Sequence, residues 1–175
     1  ALRLTPLALS LFALSLHSQA AEDFSNLLSQ GKASLDARYR YEYVDQDNLL
    51  NNANAQTLRT RLGFQSGKFH GLSALVEADN ASRIGDAAYN STRNGQSQYS
   101  VVADPDGTEM NQALLRYDHT LGNLIGGRQR INLDNQRFIG SVAWRQNEQT
   151  FDGALGQLKP IENLTLTYAY IDNIN

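Results

Sequence analysis

Residues 33–44, ASLDARYRYEYV, alternate between apolar and polar positions with a two-residue period. On an extended strand Leu35, Ala37, Tyr39, Tyr41 and Tyr43 share one face, and Ser34, Asp36, Arg38, Arg40 and Glu42 share the other. The same period predicts strands at Thr57–Gln65, Leu72–Asn80 and Asn111–His119, each with arginines or carboxylates opposite its apolar set. Three further strands, Leu124–Ile131, Gln149–Leu158 and Leu164–Ile171, follow a weaker alternation. In the first of these Arg128 and Arg130 are expected on the polar face and Gln129 on the apolar one. In the second, Phe151 and Leu155 are expected outward and Asp152 inward, although Gly153 and Gly156 blur the register.

A strand with aromatics on one face and opposite charges on the other suits a wall between lipid and water. It also suits the outer sheet of a soluble sandwich. The connections separate the two. Asp45–Gln56, Ala81–Met110 and Asn132–Glu148 are long, and they alternate with the short Ser66–Gly71, Thr120–Asn123 and Lys159–Asn163. Long loops on one side and tight turns on the other mark an antiparallel up-and-down transmembrane β-barrel. With the first strand rising from the periplasm, the short turns are periplasmic and the long loops external. Tyr39, Tyr41, Tyr43, Tyr168 and Tyr170 then form an outer aromatic girdle, and Phe64 and Tyr117 an inner one. An odd number of strands leaves two edges unpaired, which lipid does not tolerate. The expected fold is therefore all-β and incomplete, the N-terminal part of a larger barrel of about 16–18 strands.

The N-terminal residues have a different pattern. Arg3, the apolar run Leu7–Leu16 and the Ser18-Gln19-Ala20 step match a signal peptide over residues 1–20. Residues 21–32 are then expected to form a short periplasmic leader with one helical turn, and residues 33–175 the barrel. The apolar run is too short to span a bilayer as a helix. The expected location is thus the bacterial outer membrane, with outer-membrane lipid as the surrounding partner. The sequence contains no cysteine, so neither a disulfide framework nor thiol chemistry is available to it. A net charge of −3 steers toward no nucleic acid. Hydrophobic content of 41% and a mean hydropathy of −0.44 exclude a helical membrane protein but suit a barrel with a polar interior.

The candidate chemistry lies in the arginines. Lys32, Lys68 and Lys159 lie at or beside the short turns, whereas Arg38, Arg40, Arg59, Arg61, Arg116, Arg128 and Arg130 lie within strands on the expected polar face. With Glu77, Asp79 and Asp118 they make the candidate solute-facing set. Arginine keeps its charge and binds carboxylate in two places, so such a ladder favours anionic solutes. It is equally able to pair with Asp36, Glu42, Glu77, Asp79 and Asp118 and merely stiffen the wall. No catalytic constellation accompanies His70 or His119, and no cofactor motif is present. Asp104, Asp106 and Glu109 around a Pro/Gly turn form an incomplete calcium-type oxygen set.

The stretch Gly127–Gly153 resembles the alginate-export family of outer-membrane barrels. The resemblance rests on Gly127-Arg128-Gln129, Arg137-Phe138-Ile139-Gly140, Trp144-Arg145 and Thr150-Phe151-Asp152-Gly153, together with Ala103-Asp104-Pro105 and the Arg-Tyr-Arg-Tyr-Glu of the first strand. It implies a monomeric barrel with a constricted, positively charged interior that in some members passes alginate. Arg137, Trp144, Arg145 and Asp152 would then belong to the loop constriction. The expected function is a passive channel for anionic small molecules or saccharides, without enzymatic activity or cofactor. The alternatives are a structural or adhesive barrel acting through its outer loops, and a hydrolase whose site lies in a missing C-terminal part.

Overall fold

The computed structural model describes residues 25–175. The signal-peptide reading and the first part of the leader fall on residues outside that range. The described leader contains one helical turn over residues 25–29. Seven strands follow: β1 (Lys32–Val44), β2 (Ala53–Gln65), β3 (Leu72–Arg83), β4 (Gly107–His119), β5 (Gly122–Gln129), β6 (Phe151–Ile161) and β7 (Leu164–Ile174). They form one sheet in sequential order, and every neighbouring pair is antiparallel. This is the meander of an up-and-down barrel wall, incomplete because β1 and β7 stand at open edges.

The alternation carries through the register of the first four strands. Leu35 pairs with Leu62, Leu62 with Ala78, and Leu72 with Tyr117, so one face is apolar across β1–β4. Leu35 is 70% exposed and Leu62 60%; no other layer of the described protein covers this face. A face this apolar is stable against lipid rather than water. We call it the outer face. Arg38 opposite Arg59, and Asp36 opposite Arg61, begin the inner face.

A register shift after Glu77 alters the inner face usefully. Glu77 pairs with Gln112 and Ala78 with Met110, leaving Asn111 as the extra residue of a β-bulge. Asn111 and Gln112 are consecutive yet both are buried, at 1% and 4% exposure. The bulge is what delivers two adjacent amides to the polar side.

Strands β5 and β6 face the opposite way from the sequence expectation. Tyr117 pairs with Leu124, Ala113 with Arg128, and Arg128 with Asp152. Arg128 and Asp152 therefore share the outer face with Leu124 and Leu115. Gln129, expected outward, is buried inward, as are Phe151 and Leu155. The cause is an apolar cluster on the inner side, where Ile131, Phe151 and Leu155 pack with Ile125, Leu133, Ile139, Ala169 and Ile171. The segment after β5 covers this part of the wall and gives apolar side chains a dry place inside.

The connections sort as expected. Residues 66–71, 120–121 and 162–163 link the strands at one end, and 45–52, 84–106 and 130–150 at the other. The two longest fold back over the inner face instead of projecting. Tyr89 and Val102 of the 84–106 loop pack on Ala53 and Ala55, which explains why β2 begins earlier than the length read from the sequence.

Candidate functional site: a latched loop across the arginine face

Register places Arg38, Arg40, Arg59, Arg61, Arg116, Glu77, Asp79 and Asp118 on the inner face, and Arg130 joins them just beyond the end of β5. Most of these charges are engaged by neighbours or by the loop. At the lower end, Arg116 grips Asp118 at 2.7 and 2.8 Å, and Lys68 meets the same carboxylate at 2.7 Å. Asp36 accepts a 2.5 Å bond from Arg59, a side chain only 6% exposed.

At mid-wall, Arg61 forks onto Asp79 at 2.6 and 2.5 Å and reaches Glu148 of the 130–150 loop at 2.6 Å. Arg130 donates to Glu148 at 2.5 Å and also to Glu77. Asn111 donates to both glutamates, at 2.8 Å to Glu77, and Gln112 to Glu77 at 3.3 Å. Two guanidinium groups thus meet three carboxylates, Glu77, Asp79 and Glu148, with bulge amides filling the remaining acceptor positions. Burial pushes the Glu148 carboxyl up, but hydrogen bonds from Arg130 and Asn111 and the charges of Arg130 and Arg61 outweigh it. The group is held below its ordinary value of 4.5.

Higher on the wall the loop is latched by backbone as well as side chain. Arg38 donates to Gln146 Oε1 at 3.0 Å, to the Ala143 carbonyl at 2.9 Å and to the Arg145 carbonyl. The fully buried Gln146 amide answers with bonds to Arg38 O at 3.1 Å and to the Thr57 carbonyl and hydroxyl at 3.1 and 2.9 Å. Its backbone N–H donates to Asp104 Oδ1 at 3.0 Å, which ties the two long loops together. Arg40 holds the Trp144 carbonyl at 2.7 Å and pairs with Glu42.

Different donors remain free. Arg145 stacks on the Trp144 ring at 4.2 Å and touches Glu42 at a long 3.4 Å. Arg137 lies over Phe138 at 5.6 Å beside a cavity of about 490 Å³ that Leu133, Asp134, Asn135 and Ile139 also line. These loop side chains, with Trp144, occupy the segment read as a constriction. Asp152 does not: it is on β6, gripping Arg128 at 2.8 and 2.9 Å on the outer face. The calcium reading also fails, because Asp104 turns inward while Asp106 and Glu109 are exposed. Among the described residues no group of three potential ligands could hold a metal ion.

The family model for alginate export matches residues 29–171. This chain belongs to the alginate export family. The alginate export proteins are a transport family of the Gram-negative outer membrane, and the seven-stranded sheet is part of such a barrel. Membership gives the chain a role in alginate export or as an outer-membrane channel. No curated protein matches it.

Sequence reading overlooked Gln146, Glu148 and Asn111, and it put Gln112 on the polar face without giving it a role. A usable signal existed for the first two. The loop carrying Arg-Gln-Asn-Glu at 145–148 is too long to be a simple turn, and ordered loops of that length are usually functional, which marks its polar side chains for attention. Nothing local foretold the bulge at Asn111.

Proposed function

We propose that the chain supplies the anion-recognising wall and constriction loop of a passive outer-membrane channel, with an acidic saccharide as its solute. The supporting observation is the division of labour among the arginines. Wall arginines Arg38, Arg59, Arg61, Arg116 and Arg130 are spent on loop and carboxylate partners, while Arg137 and Arg145 present unspent donors on the loop they hold in place. Positive charge on a rigidly latched loop selects anions without needing a moving part. An adhesive role for the outer loops draws less support, since both long loops are packed back on the wall.

Planar-bilayer recording of the full-length protein under a salt gradient tests the proposal. Anion-selective current is expected, with selectivity reduced when Arg137 and Arg145 are both replaced by serine. Absence of current, or an unchanged reversal potential in the double variant, would sink it.

A further inference from the structure

Trp144 is the single tryptophan of the sequence, and it is 60% exposed although the loop on either side of it is pinned to the wall. Tryptophan has a large apolar surface that is normally mostly buried. Its backbone, not its ring, carries the latch: Arg40 takes the Trp144 carbonyl, Arg38 the carbonyls on either side, and Gln146 follows two residues later. The ring is nevertheless held in place, with the Arg145 guanidinium 4.2 Å and the Arg40 guanidinium 5.0 Å from its centroid. With more than half of the residue accessible, indole surface remains open beside a guanidinium that still has free N–H groups.

We propose that Trp144 and Arg145 form a subsite for one carboxylate-bearing sugar ring, the pyranose lying on the open indole surface and its carboxylate on the Arg145 fork. This rests on the channel reading and makes Trp144 the residue that separates a saccharide-borne carboxylate from a small free one. Indole offers a flat apolar surface to the axial C–H face of a pyranose, and a guanidinium matches a planar carboxylate in two bonds. The local charge agrees. Arg38, Arg40 and Arg145 stand against Glu42 and Asp104, and three positive charges less two negative ones leave +1. A monoanion balances that charge, whereas a dianionic phosphate overshoots it. Glu42 holds Arg145 only at 3.4 Å, so a carboxylate at normal bonding distance can compete for the guanidinium.

The test uses the full-length protein in detergent and three probes: a uronic acid tetrasaccharide, a neutral glucose tetrasaccharide and succinate. Difference emission between the parent and Trp144→Phe reads the subsite, and calorimetry reads affinity in each variant. The uronate tetrasaccharide is expected to perturb Trp144 emission, the neutral one to bind more weakly, and succinate to leave the emission unchanged. Trp144→Ala should weaken uronate binding about tenfold, and Trp144→Phe, which keeps a ring, by no more than about threefold. Arg145→Gln should erase the preference for uronate over neutral sugar. Uronate affinity unaffected by Trp144→Ala would overturn the subsite. So would equal binding of the two tetrasaccharides, or an equal loss of succinate binding in Trp144→Ala. A parent protein that binds uronate at Trp144 but conducts no ions would instead overturn the channel reading alone.

Discussion

Glu148 belongs to a loop, yet it accepts bonds from Arg61 of β2 and from Arg130, the residue that follows β5. Its folded-state acidity lies below the ordinary carboxylate value, so docking of the loop favours the ionised form. The stabilisation is therefore complete above the unfolded value of 4.5 and is lost as pH falls through the lower folded value. Hydrogen-exchange protection of residues 141–150 is expected to stay level from neutral pH down to about 5 and to fall only in more acidic solution. Glu148→Gln should remove that acid dependence and raise exchange at neutral pH. Gln146 makes a contribution of another kind, because its amide is fully buried and bonded at both ends. Gln146→Ala should cost the docked loop about 2–3 kcal/mol by orphaning Thr57 and part of Arg38. Rapid proteolysis at residues 141–150 in that variant is the corresponding readout.

The two faces of each strand were legible wherever the inner side meets polar partners. Strands β1–β4 keep their arginines and acids inward, where carboxylates, amides and the docked 143–148 segment pair with them, and simple alternation separated the two faces there up to the bulge at Asn111. In β5 and β6 the assumption that arginine marks the interior failed. Ile131 and its neighbours provide an apolar cover inside, so Phe151 turns in and Arg128 turns out. Closeness of the backbones reinforces the arrangement. Gly127 and Gly153 face each other, and a Cβ on Gly153 would clash with the Tyr170 carbonyl. Arg128 and Asp152 close on each other as a bidentate pair on the outer face, away from the conducting side. Arg128→Ser is accordingly expected to leave the reversal potential of the full-length channel unchanged. A shift toward cations as large as that of the Arg137/Arg145 double variant would put Arg128 back among the solute contacts.

Taken together, the sheet and its loops form a wall with its own interior lining. The 84–106 and 130–150 segments meet through Asp104 and Gln146 and lie over the arginines instead of capping the strands from above. Cross-section, on this architecture, is governed by the loops and not by strand number alone. Removing residues 132–147 and bridging the gap with a short glycine-serine linker should increase single-channel conductance and weaken ion selectivity together. Unaltered conductance would mean that the latched loop lies outside the conducting path.

Periodicity and loop alternation were enough to predict an antiparallel meander with a lipid-facing side, because strand faces obey a two-residue rule that needs no distant information. They also located the arginines and, through family motifs, the loop that carries Arg137, Trp144 and Arg145. Which arginines are free depended on tertiary structure. Arg38 meets Gln146 across 108 positions and Arg61 meets Glu148 across 87, and no local pattern encodes such pairings. The inward turn of Phe151 follows from the apolar cover that Ile131 and its neighbours supply. The shift of unspent charge from wall to loop follows from the bonds that Arg38, Arg61 and Arg130 make with the docked 143–148 segment, where buried polar groups must find protein partners in place of water.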